Sequence, residues 1–391
     1  MTKWRDTTLG DIAEIVSGAT PKTSVEQYWG GGLPWVTPTD LSRLEGAYIG
    51  STTRTLTKAG FKNCASSLLP ANSVLLSSRA PIGLVAINTI PMATNQGLKS
   101  LVPDHSQVNS KFLYWWLRCH RVQLEAIGNG ATFKEVSKKV VASVPISIPP
   151  LEEQRRIAAL LDSAEALRAK RRQALAKLES LTQAIFNYMF MSPESASHWP
   201  IATLKDICQS KGEYGANVPS QEFDGSRPRY LRITDIQDDG NLIQDAVSPG
   251  RQETEWFSKS LHSGDIVFAR SGTVGKTFLV REETEPLVFA GYLIRFIPDQ
   301  QRVVPEYLYQ FTRTKKYHIW VSKTATTVAQ PNINAKRYGQ LEVPLPPLKD
   351  QLRFSNIVRE IREHSETLTT QASLLDTLFA SLQQRAFRGE L

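Results

Sequence analysis

Two stretches of this 391-residue sequence gather side chains suited to hydrogen bonding rather than to breaking bonds. The first runs Gly130-Ala131-Thr132-Phe133-Lys134, with Lys138 and Lys139 close behind. The second runs Thr326-Thr327-Val328-Ala329-Gln330-Pro331-Asn332, followed by Lys336 and Arg337. Gln and Asn amides can pair bidentately with adenine and Arg with guanine, while Lys and Thr more often hold phosphates. Arg79 and Arg270 fall on what reads as one recurring strand-turn and join the candidates. For any single one of these side chains, surface solvation or a local salt bridge is an equal alternative.

Residues for covalent chemistry are not assembled in the same way. A phosphate-cradling G-x-x-x-x-G-K-S/T loop is approached only at Gly275-Lys276-Thr277, where Arg270 stands in place of the first glycine. Gly128-Asn129-Gly130-Ala131-Thr132-Phe133 lacks the third glycine of a dinucleotide fingerprint and reads better as a polar turn. The D/N-P-P-F/Y pattern of amino-methyltransferases fails at both Pro-Pro pairs, which follow Ile148 and Leu345. No Asp or Glu has a Lys two residues later, so the common nuclease carboxylate-lysine centre is missing. The six histidines (105, 120, 198, 262, 318 and 364) have no metal-ligand spacing with one another or with cysteine. No G-x-S-x-G elbow carries a hydrolase triad. These absences point to a binding protein with no catalytic residue and no metal or cofactor of its own.

The elements that must position the candidates come in duplicate. Trp4-x-x-x-Thr8-Leu9-x-Asp11-Ile12 recurs as Trp199-x-x-x-Thr203-Leu204-x-Asp206-Ile207. Thr39-Asp40-Leu41 recurs as Thr234-Asp235-Ile236, Pro103-Asp104 as Pro298-Asp299, and Phe112-Leu113-Tyr114 as Tyr307-Leu308-Tyr309. Pro149-Pro150-Leu151-x-x-Gln154 returns as Pro346-Pro347-Leu348-x-x-Gln351. Ordered matches, nearly all at one offset near 195 residues, signify a duplication. The Asp40/Asp235 and Trp4/Trp199 matches are expected to be scaffold, since a duplication keeps in both copies the residues its fold requires. Each repeat opens with turn-rich, β-branched segments in which Ser73–Leu76 and Asp265–Phe268 read as strands and Lys111–Leu117 as a helix with an aromatic face.

A long amphipathic helix is predicted after each double proline, which resists strand and helix interiors but suits a helix start. In the first, Ile157, Leu160, Ala164, Leu167, Arg171, Ala174, Leu178, Leu181 and Ile185 alternate in steps of three and four. In the second, Phe354, Val358, Ile361, Ser365, Leu368, Ala372, Leu375, Phe379, Leu382 and Ala386 keep that alternation. Such a seam predicts a coiled coil, and the chain order makes an antiparallel pairing the simplest. The expected fold class is therefore α+β: two tandem recognition domains with mostly β cores, separated by two long helices in an antiparallel coiled coil, pseudo-two-fold overall. The expected divisions are 1–149, first domain; 150–195, central helix; 196–345, second domain; and 346–391, C-terminal helix. A helix of ~35 residues at 1.5 Å rise would separate the domains by on the order of 50 Å at most.

Composition narrows the setting. Hydrophobic residues make up 41% and charged residues 21%, which fits globular domains and not a disordered chain. No apolar run approaches the ~20 residues of a membrane span, and Met1–Asp6 carries no apolar leader region. Cys64, Cys119 and Cys208 are odd in number and form no C-x-x-C pair, which suits a reducing cytoplasm. Net charge is +8, concentrated in residues 1–195, where 22 Lys and Arg face 15 Asp and Glu. A basic excess favours a polyanion partner through counterion release, although charge alone serves solubility equally well.

Across its full length the chain resembles the specificity subunits of type I restriction–modification systems. The resemblance rests on the duplication, the two heptad helices, and the boundaries Val144-Pro145-Ile146-Ser147-Ile148-Pro149-Pro150-Leu151-Glu152-Glu153-Gln154 and Val343-Pro344-Leu345-Pro346-Pro347-Leu348-Lys349-Asp350-Gln351. The ending Gln384-Arg385-Ala386-Phe387-Arg388-Gly389-Glu390-Leu391 is similar to that of the family's second helix. One departure is the stretch from Tyr214 to Arg229, longer and more polar than its counterpart. The resemblance implies that each domain reads one half of a bipartite site in double-stranded DNA. It implies that the helices space the halves and bind two modification (methyltransferase) subunits carrying S-adenosylmethionine, and that restriction/translocase subunits using ATP and Mg join that core. Two alternatives remain open from the residues: a recognition module of another DNA methylation or restriction assembly, and a coiled-coil adaptor that binds only proteins. Salt-dependent duplex binding separates the second from the rest.

Overall fold

The computed structural model describes residues 4–79, 81–128, 135–192, 199–238, 240–250, 256–282, 285–325 and 331–391. The chain divides into two compact units, residues 1–172 with 371–391, and residues 173–370. Each unit therefore owns one β-rich domain together with the start of one long helix and the end of the other.

In the first unit a five-stranded sheet is ordered Ala13–Ser17, Lys99–Pro103, Val74–Leu76, Val85–Asn88, Tyr48–Ile49. A three-stranded sheet, Arg54–Leu56, Trp29–Val36, Ala93–Thr94, lies alongside in sequence. Arg5–Thr8 pairs antiparallel with Pro145–Ile148 and ties the start of the domain to its end. The helix Ser110–Cys119 begins at Asn109, whose side chain accepts hydrogen bonds from the amides of Lys111 and Phe112. Its run Phe112 to Leu117 is buried all round, as a helix inside a core must be.

The second unit repeats the plan with different lengths. Its four-stranded sheet is ordered Glu213–Tyr214, Leu293–Phe296, Ile266–Ala269, Thr277–Leu279. A three-stranded sheet joins Arg229–Leu231, Leu287–Phe289 and Ser260–Leu261, and Ser220–Glu222 pairs with Val247–Pro249. Ile201–Thr203 pairs with Glu342–Pro344 as the domain-closing pair. The repeated Thr-Leu-x-Asp now has a physical role: the hydroxyls of Thr8 and Thr203 bond the carboxylates of Asp11 and Asp206. Asp40 accepts from the amides and hydroxyls of both Thr37 and Thr53, and fully buried Asp235 from the amide and guanidinium of Arg232. Both aspartates are scaffold.

The long helices span Leu151–Phe186 and Leu348–Arg388. In the first unit Phe387 meets Phe112 at 5.4 Å and Phe379 meets Trp115 at 5.7 Å, while Gln154 bonds Asn109 and Asp162 bonds Trp115. Rising numbers on one helix thus meet falling numbers on the other, and the pairing is antiparallel. The second helix ends at Gly389, whose φ of +72° suits glycine and whose missing side chain leaves room for the Trp4 indole. In the second unit Phe354 packs on Phe186 and Phe190, and a π-turn at Asn187–Met191 sends Phe190 into the domain core.

The C-terminal helix turns Phe354, Val358, Ile361, Leu368, Leu375, Phe379, Leu382 and Ala386 inward, fully or half-buried. The central helix requires a correction. Leu160, Leu167 and Leu181 are 38%, 59% and 42% exposed, and the inward line passes through Ile157, Leu161, Ala164, Arg168 and Arg171 to half-buried Leu178. Spacings of 3,4 and 4,3 share every second position, so the leucines drew the expected line to the wrong alternate. What decides is the partner: the Arg168 guanidinium lies 4.3 Å from the Phe379 ring centre and bonds Asp376 at 2.6 Å. A long cationic side chain can cover an aromatic ring and keep its charge wet, as leucine at 167 would not.

Candidate nucleic-acid interface

Each domain places its candidate side chains around one strand end and one chain crossing. In the first domain Val74–Leu76 runs into Ser77, Ser78 and Arg79, and the chain returns after Gly83 in Val85–Asn88. Ser78 donates its amide to Gly97 and accepts at its carbonyl from Val136, while Arg79 and Glu135 form a β-bridge. In the second domain Arg270 donates its amide to Tyr292 and accepts from Ile333, while Ser271 bridges Asn332. The segment that follows each donor-rich stretch is thus stitched to the same turn in both repeats.

The stitching also corrects the equivalence of the two arginines. Arg270 occupies the place of Ser78, and Arg79 that of Ser271, because one extra residue lies between Arg270 and Gly275. Neighbouring positions in an extended strand point to opposite sides. Arg79 is half-exposed and bonds Glu135 through its Nε at 2.9 Å. Arg270 instead lies 4.7 Å from the centre of the Tyr214 ring, with its Nε buried and without a partner among the described residues.

Glu135 also accepts from Lys99 Nζ at 3.3 Å, and the Lys99 side chain is 9% exposed. Burial pushes the Glu135 carboxyl upward, but the hydrogen bonds from Arg79 and Lys99 outweigh it and hold it below the usual range. Just beyond, the helix Lys138–Ala142 is capped by Ser137, and Lys138 and Lys139 are exposed. The matching helix Ala335–Gly339 is capped by Asn334; Lys336 is exposed, and Arg337 bonds the carbonyl of Thr324 at 3.0 Å. Thr132, Lys134, Thr326, Thr327 and Gln330 lie outside the described residues.

The glycine-lysine-threonine segment is built as a hairpin. Lys276 bonds the Ile236 carbonyl and pairs with Asp238, Thr277 bonds Thr312, and Gly275 lies between the hydroxyls of Tyr317 and Tyr338. Those bonds occupy the groups a phosphate loop would offer. Among the described residues no cluster of three or more His, Cys, Asp or Glu could hold a metal ion.

The model of the type I restriction modification DNA specificity domain family matches residues 1–180 and again residues 196–373. The chain belongs to this family. Two matches in tandem correspond to the two domains, and the family places the chain as the DNA-binding specificity subunit of a type I restriction–modification complex, reading a bipartite site through its two domains. Such a subunit is non-catalytic and associates with DNA and with the other subunits of its complex. The specificity subunit is 27% identical to the type I restriction enzyme MjaIX specificity subunit of Methanocaldococcus jannaschii, over 99% of this chain and 93% of that one. It is 22% identical to the EcoDI specificity subunit of Escherichia coli, over 85% of this chain and 82% of that one. Its fold is shared with a chain solved in work on assembly of the type I system, at 18% identity and a TM-score of 0.64, covering 99% and 98% of the two chains. The specificity subunit from M. genitalium follows at 15% identity and a TM-score of 0.56, covering 99% and 96%.

Sequence reasoning missed the part played by five residues: Lys99, Glu135, Tyr214 and the paired glutamines of the boundary, Gln154 and Gln351. Gln154, fully buried, accepts from the Asn109 amide at 2.8 Å and donates to the carbonyls of Gln107 at 3.0 Å and Pro149 at 2.8 Å. Gln351, equally buried, accepts from Val304 at 2.9 Å and donates to Pro346 at 2.8 Å. The glutamine repeated in the boundary motif was visible; the bonds it makes were not. Glu135 had only its place beside Lys134 to mark it.

Proposed function

We propose that the surface around each turn is the DNA contact: Arg79, Lys138 and Lys139 with the 130–134 segment in the first domain, and Arg270, Asn332, Lys336 and Arg337 with the 326–330 segment in the second. The observation that carries this reading is the recurrence of the stitched turn, with basic side chains at it or just after it in both repeats and the Asn332 amide in the second. Lysines hold phosphates, and arginine and amide side chains read base edges.

The divisions 1–149, 150–195, 196–345 and 346–391 separate reading from spacing. The helices fix the distance between half-sites and dock two modification subunits, and restriction subunits join that assembly. Support for docking comes from the first unit, where Leu160 and Leu167 on one helix and Leu374 and Leu378 on the other are 38%, 59%, 60% and 64% exposed. Each lies one residue before an inward position; on antiparallel helices this puts all four on one side. Exposed leucines in such a row mark a protein interface. Methyl transfer, with S-adenosylmethionine, and ATP-driven cleavage belong to those partners. No helix among the described residues is long and apolar enough to cross a membrane. A complex that acts on chromosomal DNA would act in the cytoplasm, and that is the location proposed for it.

Exchange of residues 1–149 for the corresponding domain of another specificity subunit tests the reading. Methylome sequencing of cells carrying the hybrid with its modification subunits is expected to show one half-site changed and the other retained. A change in both halves, or in neither, would overturn the division of labour.

A further inference from the structure

Building on the assignment of residues 1–149 as the reader of one half-site, we propose that Glu135 is a positioning residue that holds the Arg79 guanidinium for bidentate recognition of a guanine. Guanine presents two acceptors, O6 and N7, to the major groove, and a planar guanidinium meets them with two parallel N–H groups. The bond to Glu135 uses Nε, and among the described residues neither Nη nitrogen of Arg79 has a hydrogen bond. The outer end of the fork therefore has no partner among the described residues, while its plane is fixed from behind.

A surface arginine–glutamate pair would ordinarily mean little. Here the carboxylate serves two cations, since buried Lys99 bonds its other oxygen. Two positive charges about one negative leave a net positive charge, so Arg79 keeps its attraction for a polyanion. Without Lys99 the pair would face DNA as a neutral unit. Glu135 is also bridged through its backbone to Arg79, so backbone and side chain of one residue both hold the arginine.

The second domain provides an internal control. The same bridge is made there by Ser271 and Asn332, with no charge on either side. A lock required by the fold would have been kept in both repeats. The backbone bridge is kept and the charged pair is not, as expected of a feature that distinguishes the two half-sites.

The test uses the full chain assembled with its modification subunits, methylating a duplex library randomised in both half-sites. Glu135→Ala and Arg79→Ala are each expected to relax selectivity at one and the same G·C position of the half-site read by residues 1–149, by roughly 5- to 150-fold. The double variant should be no worse than either single one. Arg79→Lys should behave like Arg79→Ala, because an ammonium cannot make the paired contact, and Glu135→Gln, which keeps an acceptor oxygen, should lose less than Glu135→Ala. The half-site read by residues 196–345 should be unchanged. Equal weakening on every duplex, or loss of stability with base preference intact, would reduce the pair to a structural salt bridge and overturn the proposal. Unchanged selectivity in Arg79→Ala would remove the guanine contact altogether. If exchanging residues 1–149 moves a half-site while these variants do not, this inference alone fails; if the exchange moves none, the underlying assignment fails with it.

Discussion

Replacing Gln154 by leucine isolates the bond between a domain and its long helix. Leucine matches glutamine closely in volume, so little cavity is created, and the loss is polar. Three backbone groups lose their partner: the Asn109 amide and the carbonyls of Gln107 and Pro149. A buried polar group left unpaired costs about 1–3 kcal/mol. Single substitutions rarely exceed 4–5 kcal/mol, so the expected loss is about 3–5 kcal/mol. For a unit of this size that lowers the melting temperature by roughly 6–20 °C. Gln351→Leu strands only the Val304 amide and the Pro346 carbonyl, and should cost about 2–4 kcal/mol. Thermal and urea melting of the purified chain give the energies, and hydrogen exchange gives the place: Asn109 should lose protection in the first variant and Val304 in the second. Glu at position 154 adds a pH signature. A buried carboxylate facing two carbonyls has a folded pKa raised above its unfolded value, so Gln154→Glu should be most stable at low pH and lose stability as pH rises through the folded pKa. A Gln154→Leu chain melting within about 2 °C of the parent, with Asn109 still protected, would refute the reasoning.

Other substitutions separate seam, phosphate contacts, base contacts and core. Leu178→Glu or Leu375→Glu, on the inward faces, should lower stability by several kcal/mol in melting experiments. Leu167→Glu, 59% exposed, should leave melting nearly unchanged but reduce co-purification of modification subunits; a large loss of stability would restore the original seam. Changing Lys138 and Lys139 to Ala should weaken specific and random duplexes alike and flatten the logarithmic salt slope by up to ~2 in fluorescence anisotropy. Changing Gln330 or Asn332 to Ala should instead cost ~1–3 kcal/mol on the cognate site and relax one position of one half-site. Burial pushes the Cys208 thiol up to about 12, so iodoacetamide at pH 8 should label it far more slowly in the native than in the unfolded chain; equal rates would contradict its placement.

What the sequence made legible follows from what repeats. The duplication, the strands at Val74–Leu76 and Ile266–Ala269, and both long helices were readable because hydrophobic period and turn residues are local signals. The inward face of the central helix was readable only at alternate positions. Ile157, Ala164, Arg171 and Leu178 belong to both possible seams, and the choice between Leu167 and Arg168 depends on Phe379 and Asp376, two hundred residues away. The roles of Gln154 and Gln351 were hidden for the same reason. Their partners are backbone groups, which carry no residue identity and cannot be picked out along a sequence.

The arginine turn shows how far such readings reach toward the DNA surface. Aligning Arg79 with Arg270 is natural in sequence, yet the hydrogen bonds align Arg79 with Ser271 and Arg270 with Ser78. A shift of one residue in extended chain exchanges the two faces of the strand. The two arginines therefore cannot make the same contact in their respective half-sites, however alike the motifs look. Arg270, 4.7 Å from the centre of the Tyr214 ring and with its Nε buried, is held by an aromatic ring where Arg79 is held by a carboxylate. A ring holds a guanidinium by a cation–π attraction in which no group titrates at low pH, whereas a carboxylate holds it through a hydrogen bond that salt and pH can weaken. Selectivity that depends on Arg79 should therefore fade as pH falls far enough to protonate Glu135, and selectivity that depends on Arg270 should not. Since the Arg79 and Lys99 bonds hold the Glu135 carboxyl below its usual range, the loss should begin only below the ordinary glutamate range. Half-site selectivity measured by binding competition at falling pH tests this, and parallel decline in both halves would mean that the two arginines are held alike.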